Sequence, residues 1–259
     1  QVIDLETNML VSELNPNISL PTASTAKLFS TASALDILGP NYKAKTRIYI
    51  DGEIDSKGVL DGNIWIRGGG DPTIGSKYFN KEEDQLAFLT LWSDTIKAIG
   101  INSINGSVIA DASEFGYSGV PDGWSWGDIG NYYGAGPSGL TISDNLVRFT
   151  FSMSNVGEKS KILSISPFIP GLIFHNYVIA SQKSGDNVYI YGGPNSLDRF
   201  ATGTLPANHK NFLVKGSLPD PEFQFAYEFN NALKEKGISV SGEPKSVRRF
   251  EINSNPNNY

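Results

Sequence analysis

A serine and a lysine three residues apart are the residues of this sequence best suited to covalent chemistry. Ser24 and Lys27 open a predicted helix, and at that spacing their side chains project from one face. Free backbone N–H groups and the positive end of the helix dipole favour negative charge on the serine oxygen. A lysine one turn further on can take the hydroxyl proton when its surroundings favour the neutral amine. The spacing therefore suggests a serine nucleophile with a lysine base.

The same motif, Ser24-Thr25-Ala26-Lys27, also allows a structural interpretation. A chain this rich in serine contains about one S-x-x-K by chance, and Ser24 could cap the helix while Lys27 is solvated. Spacing alone favours that interpretation. Position favours catalysis, because the motif follows a predicted hairpin over residues 1–12 and begins a predicted helix over 24–38. S-x-x-K in this setting is the arrangement of penicillin-recognising enzymes.

Composition narrows the remaining possibilities. The 259 residues include no cysteine and two histidines, which excludes thiolate metal sites and leaves little for a Ser-His-Asp triad. The formal net charge of −6 argues against a nucleic-acid partner. No apolar stretch approaches the ~18 residues of a transmembrane segment. If the chain is a hydrolase, its base is expected to be a lysine or a carboxylate.

Two further motifs match penicillin-recognising enzymes by letter. Those enzymes also need an S-x-N triplet and a K-T-G or K-S-G strand, and this chain offers Ser143-Asp144-Asn145 and Lys183-Ser184-Gly185. Asn145, however, leads straight into an alternating strand, and Lys183 lies in a predicted hairpin turn. We interpret both matches as coincidences.

Two weaker patterns favour structural roles. Residues 134–139 spell G-x-G-x-x-G, but Pro137 interrupts the motif and no helix follows, so a dinucleotide site is not expected. Asp111 and Glu114 follow a predicted strand and could form an acid–base pair of the glycosidase kind. Surface carboxylates at a strand end are the commoner explanation.

Four aromatic residues lie close together in a Gly-rich stretch. They are Trp124, Trp126, Tyr132 and Tyr133. Such a cluster could form a platform for carbohydrate, but it is more often the core of a long folded loop. The sequence therefore predicts that these side chains are buried.

Strand-like segments dominate the region between the predicted helices. Helices are expected over 24–38, 81–99 and 222–236, the last with Phe225, Phe229 and Leu233 on its buried face. Strands are expected over 46–50, 63–67, 106–110, 145–153, 162–166, 172–181, 187–192, 211–216 and 238–241. This order of elements indicates a mixed α/β (α+β) chain with a β-rich middle.

Blocks along nearly the whole chain resemble D-alanyl-D-alanine carboxypeptidase/endopeptidases of the penicillin-binding-protein-4 type. The similar blocks are residues 2–7, 21–28, 62–65, 68–73, 106–111, 123–126, 133–140 and 236–238. The resemblance implies a penicillin-recognising domain, of the β-lactamase/transpeptidase kind, that is split by a large β-rich insertion.

The resemblance also implies a division of the chain. Residues 1–42 would form the N-terminal part of the catalytic domain, 43–215 the inserted β-rich region, and 216–259 an incomplete return to the catalytic domain. The family's own S-x-N and K-T-G motifs follow that return. These two motifs are therefore expected beyond Tyr259, so that the chain is truncated before them and inactive alone.

The residue roles that the resemblance implies are these. Ser24 would be the acylated nucleophile, with its backbone N–H in the oxyanion hole, and Lys27 would be its base. Asp111, with Phe115, would approach the diamino-acid side chain of the substrate. No metal and no cofactor would be needed.

The implied activity is that of a serine-type D-Ala-D-Ala carboxypeptidase outside the cytoplasm, in the periplasm of a bacterium or secreted. Its partners would be peptidoglycan stem peptides that end in D-Ala-D-Ala, and β-lactams would inhibit it. Two alternatives stay open: a compact, complete enzyme that uses Ser143, Asn145 and Lys183, and a non-catalytic peptidoglycan-binding module.

Overall fold

The computed structural model describes residues 1–79 and 84–249. The chain divides into two compact units, one over residues 1–43 and one that begins at Ala44. Helices and strands are both present and the second unit is rich in strands, which confirms the predicted mixed class. The division into catalytic and inserted segments stays a prediction. Across the two described stretches, no helix combines the length and apolar character needed to cross a membrane.

The first unit is a hairpin followed by a helix. Strands β1 (Val2–Ile3) and β2 (Leu10–Ser12) pair antiparallel, which confirms the predicted hairpin. A 3₁₀ turn over Ala23–Thr25 leads directly into helix α1 (Ala26–Leu38), so the predicted helix over 24–38 is also confirmed. All residues of α1 are exposed, and Gly39 follows it at a φ of 80° that favours glycine.

The second unit holds the remaining described elements. Its helices are α2 (Ala87–Ala98), α3 (Trp126–Ile129) and α4 (Pro221–Glu235). Its strands are β3 (Arg47–Ile50), β4 (Glu53–Ile54), β5 (Val59–Asp61), β6 (Ile64–Arg67), β7 (Ser103–Ile104), β8 (Val108–Asp111), β9 (Leu146–Ser152), β10 (Lys161–Ser166), β11 (Ile173–Ser181), β12 (Asn187–Tyr191), β13 (Asp198–Pro206), β14 (Phe212–Ser217), β15 (Ser239–Val240) and β16 (Lys245–Ser246). Every strand expected from alternation is found. Of the predicted helix over 81–99, residues 81–83 lie outside the described residues.

The described strands of the second unit form four sheets. Their strand orders are β16-β8-β6-β3, β15-β7-β5-β4, β10-β9-β14 and β11-β13-β12. The long strand β13 is not predicted from the sequence. Gly203 in its middle has a φ of 114°, and a Cβ added there would lie 2.1 Å from the carbonyl oxygen of Asn187. Glycine is required at that point, and a glycine inside a strand hides the alternating pattern.

Helix α4 is anchored by the apolar stripe that the sequence predicts. Phe225, Phe229 and Leu233, spaced four residues apart, are fully buried. The Trp92 ring of α2 lies 5.8 Å from the Phe225 ring and 5.9 Å from the Phe229 ring, centroid to centroid. Because aromatic side chains bury large apolar areas, this contact fixes α4 against α2.

A buried ionic network holds the N-terminus of α4. The Asp220 carboxylate accepts a hydrogen bond from the backbone N–H of Phe223 at 3.1 Å and so caps the helix. The same carboxylate accepts hydrogen bonds from the guanidinium groups of Arg248 and, at 2.9 Å, Arg249. Glu222 lies beside this network, with its Oε1 4.0 Å from Nε of Arg248. The network ties the chain beyond β16 to the start of α4.

Stability of the second unit is expected to depend on pH through Glu222. Burial first, and then the Asp220 carboxylate, raise the pKa of Glu222 from 4.5 to about 7. Between these values the folded state keeps a proton that the unfolded state has lost, so stability falls as the pH rises through this window. Glu222→Gln removes the titration. We expect the free energy of unfolding of this variant to exceed that of the parent by up to about 3 kcal/mol at about pH 8. The difference should disappear below about pH 4.5.

Urea unfolding of both proteins across this pH range measures the difference. Glu235→Gln is the matched control, because Glu235 is exposed at the end of the same helix. A gap between parent and Glu222→Gln that is equal at both ends of the range would contradict the assignment.

The predicted burial of the Gly-rich aromatic cluster is wrong. Trp124, Trp126, Tyr132 and Tyr133 are 40 to 54 % exposed. The physical reason is their position: α3 and the 3₁₀ turn over Tyr132–Gly134 are short surface elements that bury glycine and backbone instead, as at Gly130 and Gly134. The rings therefore face outward.

Candidate active site

Ser24 and Lys27 are brought together by the start of α1. Nζ of Lys27 donates a hydrogen bond to Oγ of Ser24 at 2.8 Å. The pair is formed because Ser24 lies in the 3₁₀ turn that precedes α1 and Lys27 lies in the first helical turn, so their side chains share one face. Both residues are exposed, which leaves the hydroxyl accessible to a substrate carbonyl.

The backbone before the serine is held in an uncommon conformation. Ala23 has a φ of 44°, in the left-handed region that residues with a Cβ rarely adopt. The backbone N–H of Thr25 donates to the carbonyl of Thr22 at 3.0 Å and closes the turn around this residue. Local strain of this kind concentrates at functional sites, where it sets the direction of a reactive side chain.

Asp111 and Phe115 lie together in the second unit, at the carboxyl end of β8. The Asp111 carboxylate accepts a hydrogen bond from the backbone N–H of Ser113 at 2.9 Å, and Phe115 ends the short 3₁₀ turn that follows. The Phe115 ring covers Gly70, where an added Cβ would lie 3.0 Å from the ring. The ring is nevertheless 60 % exposed, so a carboxylate and an aromatic surface are offered together.

The structure gives no support to a glycosidase pair of Asp111 and Glu114. The Glu114 carboxylate is 3.6 Å from Nε of Arg67, its own ion-pair partner on β6. Arg67 of β6 pairs in register with Asp111 of β8. The pKa of Glu222 in α4 is raised first by burial, then by Asp220, and also by the Asp111 carboxylate. Arg67 and Glu222 are distant in sequence from Asp111, and no local motif identifies them.

The letter match to S-x-N lies in a 3₁₀ turn before β9, and the match to K-S-G lies in an exposed turn after β11. Ser143 is buried, and the Asn145 side chain donates to the carbonyl of Gly136 at 2.7 Å, directly before β9. Lys183 is exposed in the turn between β11 and β12. That turn is not a hairpin as predicted, because β13 lies between the two strands and pairs with both.

Relatives of the chain share its sequence at a low level over most of its length. D-alanyl-D-alanine carboxypeptidase DacB of Haemophilus influenzae is 24 % identical over 244 residues, which cover 93 % of this chain and 48 % of that protein. A D-alanyl-D-alanine carboxypeptidase of an Actinomadura species is 24 % identical, over 93 % of this chain and 44 % of its own. The chain thus spans about half the length of the curated relatives it matches.

Solved structures share the fold. The crystal structure of penicillin binding protein 4 from Haemophilus influenzae matches with a TM-score of 0.73 at 23 % identity, over 95 % of this chain and 52 % of that one. The same protein complexed with a β-lactam matches with a TM-score of 0.64 at 19 % identity, over 95 % of this chain and 49 % of that one. The penicillin-recognising fold class predicted from the sequence is therefore confirmed. A family model matches residues 1–252, and the chain belongs to the D-Ala-D-Ala carboxypeptidase 3 (S13) family.

Proposed function

We propose that this chain carries the nucleophile of a serine-type D-Ala-D-Ala carboxypeptidase/endopeptidase that acts on peptidoglycan stem peptides. The observation that carries the proposal is the 2.8 Å hydrogen bond between Lys27 and Ser24 at the start of α1. Membership of the family supports the same reaction, and both curated relatives above are named D-alanyl-D-alanine carboxypeptidases.

The reaction follows from the roles of the two side chains. Oγ of Ser24 attacks the carbonyl carbon of the penultimate D-Ala while Lys27, as the neutral amine, takes the hydroxyl proton. Charge on the carbonyl oxygen is stabilised by backbone N–H groups, with that of Ser24 as one donor. The C–N bond then breaks, Lys27 returns the proton to the leaving D-Ala amine, and an acyl-enzyme ester remains on Ser24. Water hydrolyses that ester.

A β-lactam is expected to enter the same sequence of steps. Attack by Ser24 opens the lactam amide, but the amine formed stays tethered to the acyl group and cannot diffuse away. The acyl-enzyme therefore accumulates. A structural relative has been crystallised with a β-lactam, which supports this inhibitor class for the present chain.

We assign Asp111 and Phe115 to the diamino-acid side chain of the stem peptide. An amino group on a diamino-acid side chain would pair with the Asp111 carboxylate, and its methylene groups would pack on the exposed Phe115 ring. Because peptidoglycan lies outside the cytoplasmic membrane, the proposed activity places the protein in the periplasm or another extracytoplasmic compartment.

Intact-protein mass spectrometry after incubation with benzylpenicillin tests the proposal. The 259-residue chain and the full-length product of its gene are treated side by side, and peptide mapping locates the adduct. We expect one penicilloyl group on Ser24 of the gene product. An adduct on Ser143 would favour the compact enzyme that uses Asn145 and Lys183, and no adduct on either protein would favour a non-catalytic binding module.

A further inference from the structure

The outward surface of the sheet β11-β13-β12 is lined by aromatic rings. Tyr191 of β12 lies opposite Phe200 of β13, which lies opposite His175 of β11. Two residues along, Tyr189 and Tyr177 occupy the same outer surface on the two edge strands. Most of the alternating residues point inward and are buried, among them Val178, Ile190 and Ala201, as side-chain alternation in strands requires. We call these five residues the aromatic face.

Neighbouring elements extend the aromatic face beyond the sheet. The Trp126 ring of α3 lies 6.2 Å from the Tyr191 ring, and the rings of Tyr132 and Tyr133 lie 5.2 Å apart. Lys215 of β14 places its ammonium group 5.7 Å from the centre of the Tyr132 ring. The Tyr133 hydroxyl donates to the carboxylate of Asp128, and the pKa of Tyr133 is raised by burial first and then by that carboxylate and by Tyr189. Trp126 thus joins the extension to the sheet.

The aromatic face and its extension are exposed to solvent. Tyr177 is 56 % exposed, Tyr189 47 %, and Trp126 52 %. Soluble proteins rarely leave contiguous apolar surface of this kind in water unless it binds something. Because each ring carries its polar atom at the edge, the surface suits a ligand with apolar faces and polar rims.

We propose that the aromatic face binds a neutral, N-acetylated amino-sugar polymer of the kind that forms peptidoglycan glycan strands. Pyranose rings offer flat C–H faces that stack on the tyrosine and tryptophan rings, while hydroxyl and acetamido groups bond to tyrosine hydroxyls and to Lys215. The charge of the surface fits a neutral ligand, because its two lysines are matched by two carboxylates. The lysines are Lys159, 5.7 Å from the Tyr177 ring, and Lys215, and the carboxylates are Asp128 beside Tyr133 and Asp198, 3.2 Å from His175.

The inference rests on the proposed function, in which the scissile stem peptide hangs from such a glycan strand. In a glycan chain that carries stem peptides, the lactyl carboxylate of each substituted muramic acid forms an amide bond to its peptide. The sugar backbone is therefore neutral. The aromatic face would then hold the polymer by its sugar chain.

Isothermal titration of the 259-residue chain with the N-acetylglucosamine hexamer tests the inference. We expect binding that Tyr189→Ala and Tyr177→Ala each weaken about tenfold, through the loss of one stacked ring. Tyr189→Phe keeps the ring and is expected to retain most of the affinity. Tyr49→Ala is the matched control, because Tyr49 is 48 % exposed on β3 of another sheet and should leave binding unchanged. The glucose hexamer, which lacks acetamido groups, should bind more weakly.

The inference is overturned if the hexamer does not bind at millimolar concentration, or if Tyr49→Ala weakens binding as much as Tyr189→Ala. It is also overturned if sedimentation shows self-association that Tyr189→Ala abolishes, since the face would then join two copies of the chain. Penicillin labelling of Ser24 is a separate readout. Labelling of Ser24 without sugar binding would overturn this inference alone. Sugar binding without labelling would support this inference and overturn the proposed peptidase activity.

Discussion

Replacing Ser24 by alanine is expected to remove all covalent labelling by benzylpenicillin and all release of D-alanine from a stem-peptide substrate. The acyl-enzyme bond forms at Oγ, and alanine has no atom that can replace it. Ser33→Ala is the matched control, because Ser33 lies on the exposed surface of the same helix. Intact mass and a D-alanine assay of the gene product, with circular dichroism to verify folding, give the result.

Lys27 is expected to contribute as the base and not merely as a positive charge. Lys27→Ala should lower the rate of acylation about 10²- to 10⁴-fold, the range for a positioned general base. Lys27→Arg is the sharper variant. Arginine keeps the charge and the hydrogen-bond donors, but it stays protonated and cannot take the hydroxyl proton.

Lys27→Arg should therefore be as slow as Lys27→Ala, and Lys43→Ala should acylate at the parent rate. A missing base should slow acylation by far more than a factor of about two. If Lys27→Arg keeps more than about half of the parent rate, the lysine therefore only positions the serine. Stopped-flow measurement of the rate of acylation by a chromogenic β-lactam separates these cases. Residual labelling of Ser24→Ala at any other serine would show that the nucleophile has been assigned to the wrong residue.

The elements that carry short-range signals were predictable from the sequence. The contact between Ser24 and Lys27 is set by helical geometry over three residues, so spacing alone predicts that the side chains meet. The stripe of Phe225, Phe229 and Leu233 is likewise a local pattern, and the structure buries all three.

Features that depend on which strands become neighbours were not predictable in this way. The aromatic face exists because β13 lies between β11 and β12, and β13 itself is hidden by Gly203. The sequence predicts buried positions for Trp126 and Tyr133, which is wrong because aromatic composition does not reveal which side of a short surface element faces water. Tertiary pairing decides both outcomes.

The network at the start of α4 is another long-range feature, and it leads to the second large effect. Asp220 is 3 % exposed, and its carboxylate faces two arginines from a segment about thirty residues further along the chain. Asp220→Asn keeps a side-chain oxygen that can cap the helix, but it removes the negative charge. Arg249 retains a second contact, with its guanidinium 3.7 Å from the centre of the Phe223 ring. Arg248 is buried and loses its main counter-charge.

We therefore expect Asp220→Asn to lower the free energy of unfolding by about 3–5 kcal/mol, the cost of leaving one partner of a buried ion pair. Asp94→Asn is the control. It breaks a half-exposed pair with Lys236 and should cost at most about 1 kcal/mol. Adding Arg248→Met to Asp220→Asn removes the orphaned cation and should restore much of the loss, because a buried pair replaced by apolar groups is often tolerated. Urea midpoints of the four proteins decide the matter: equal losses for Asp220→Asn and Asp94→Asn, or no rescue by Arg248→Met, would show that the helix cap and not the charge holds α4 in place.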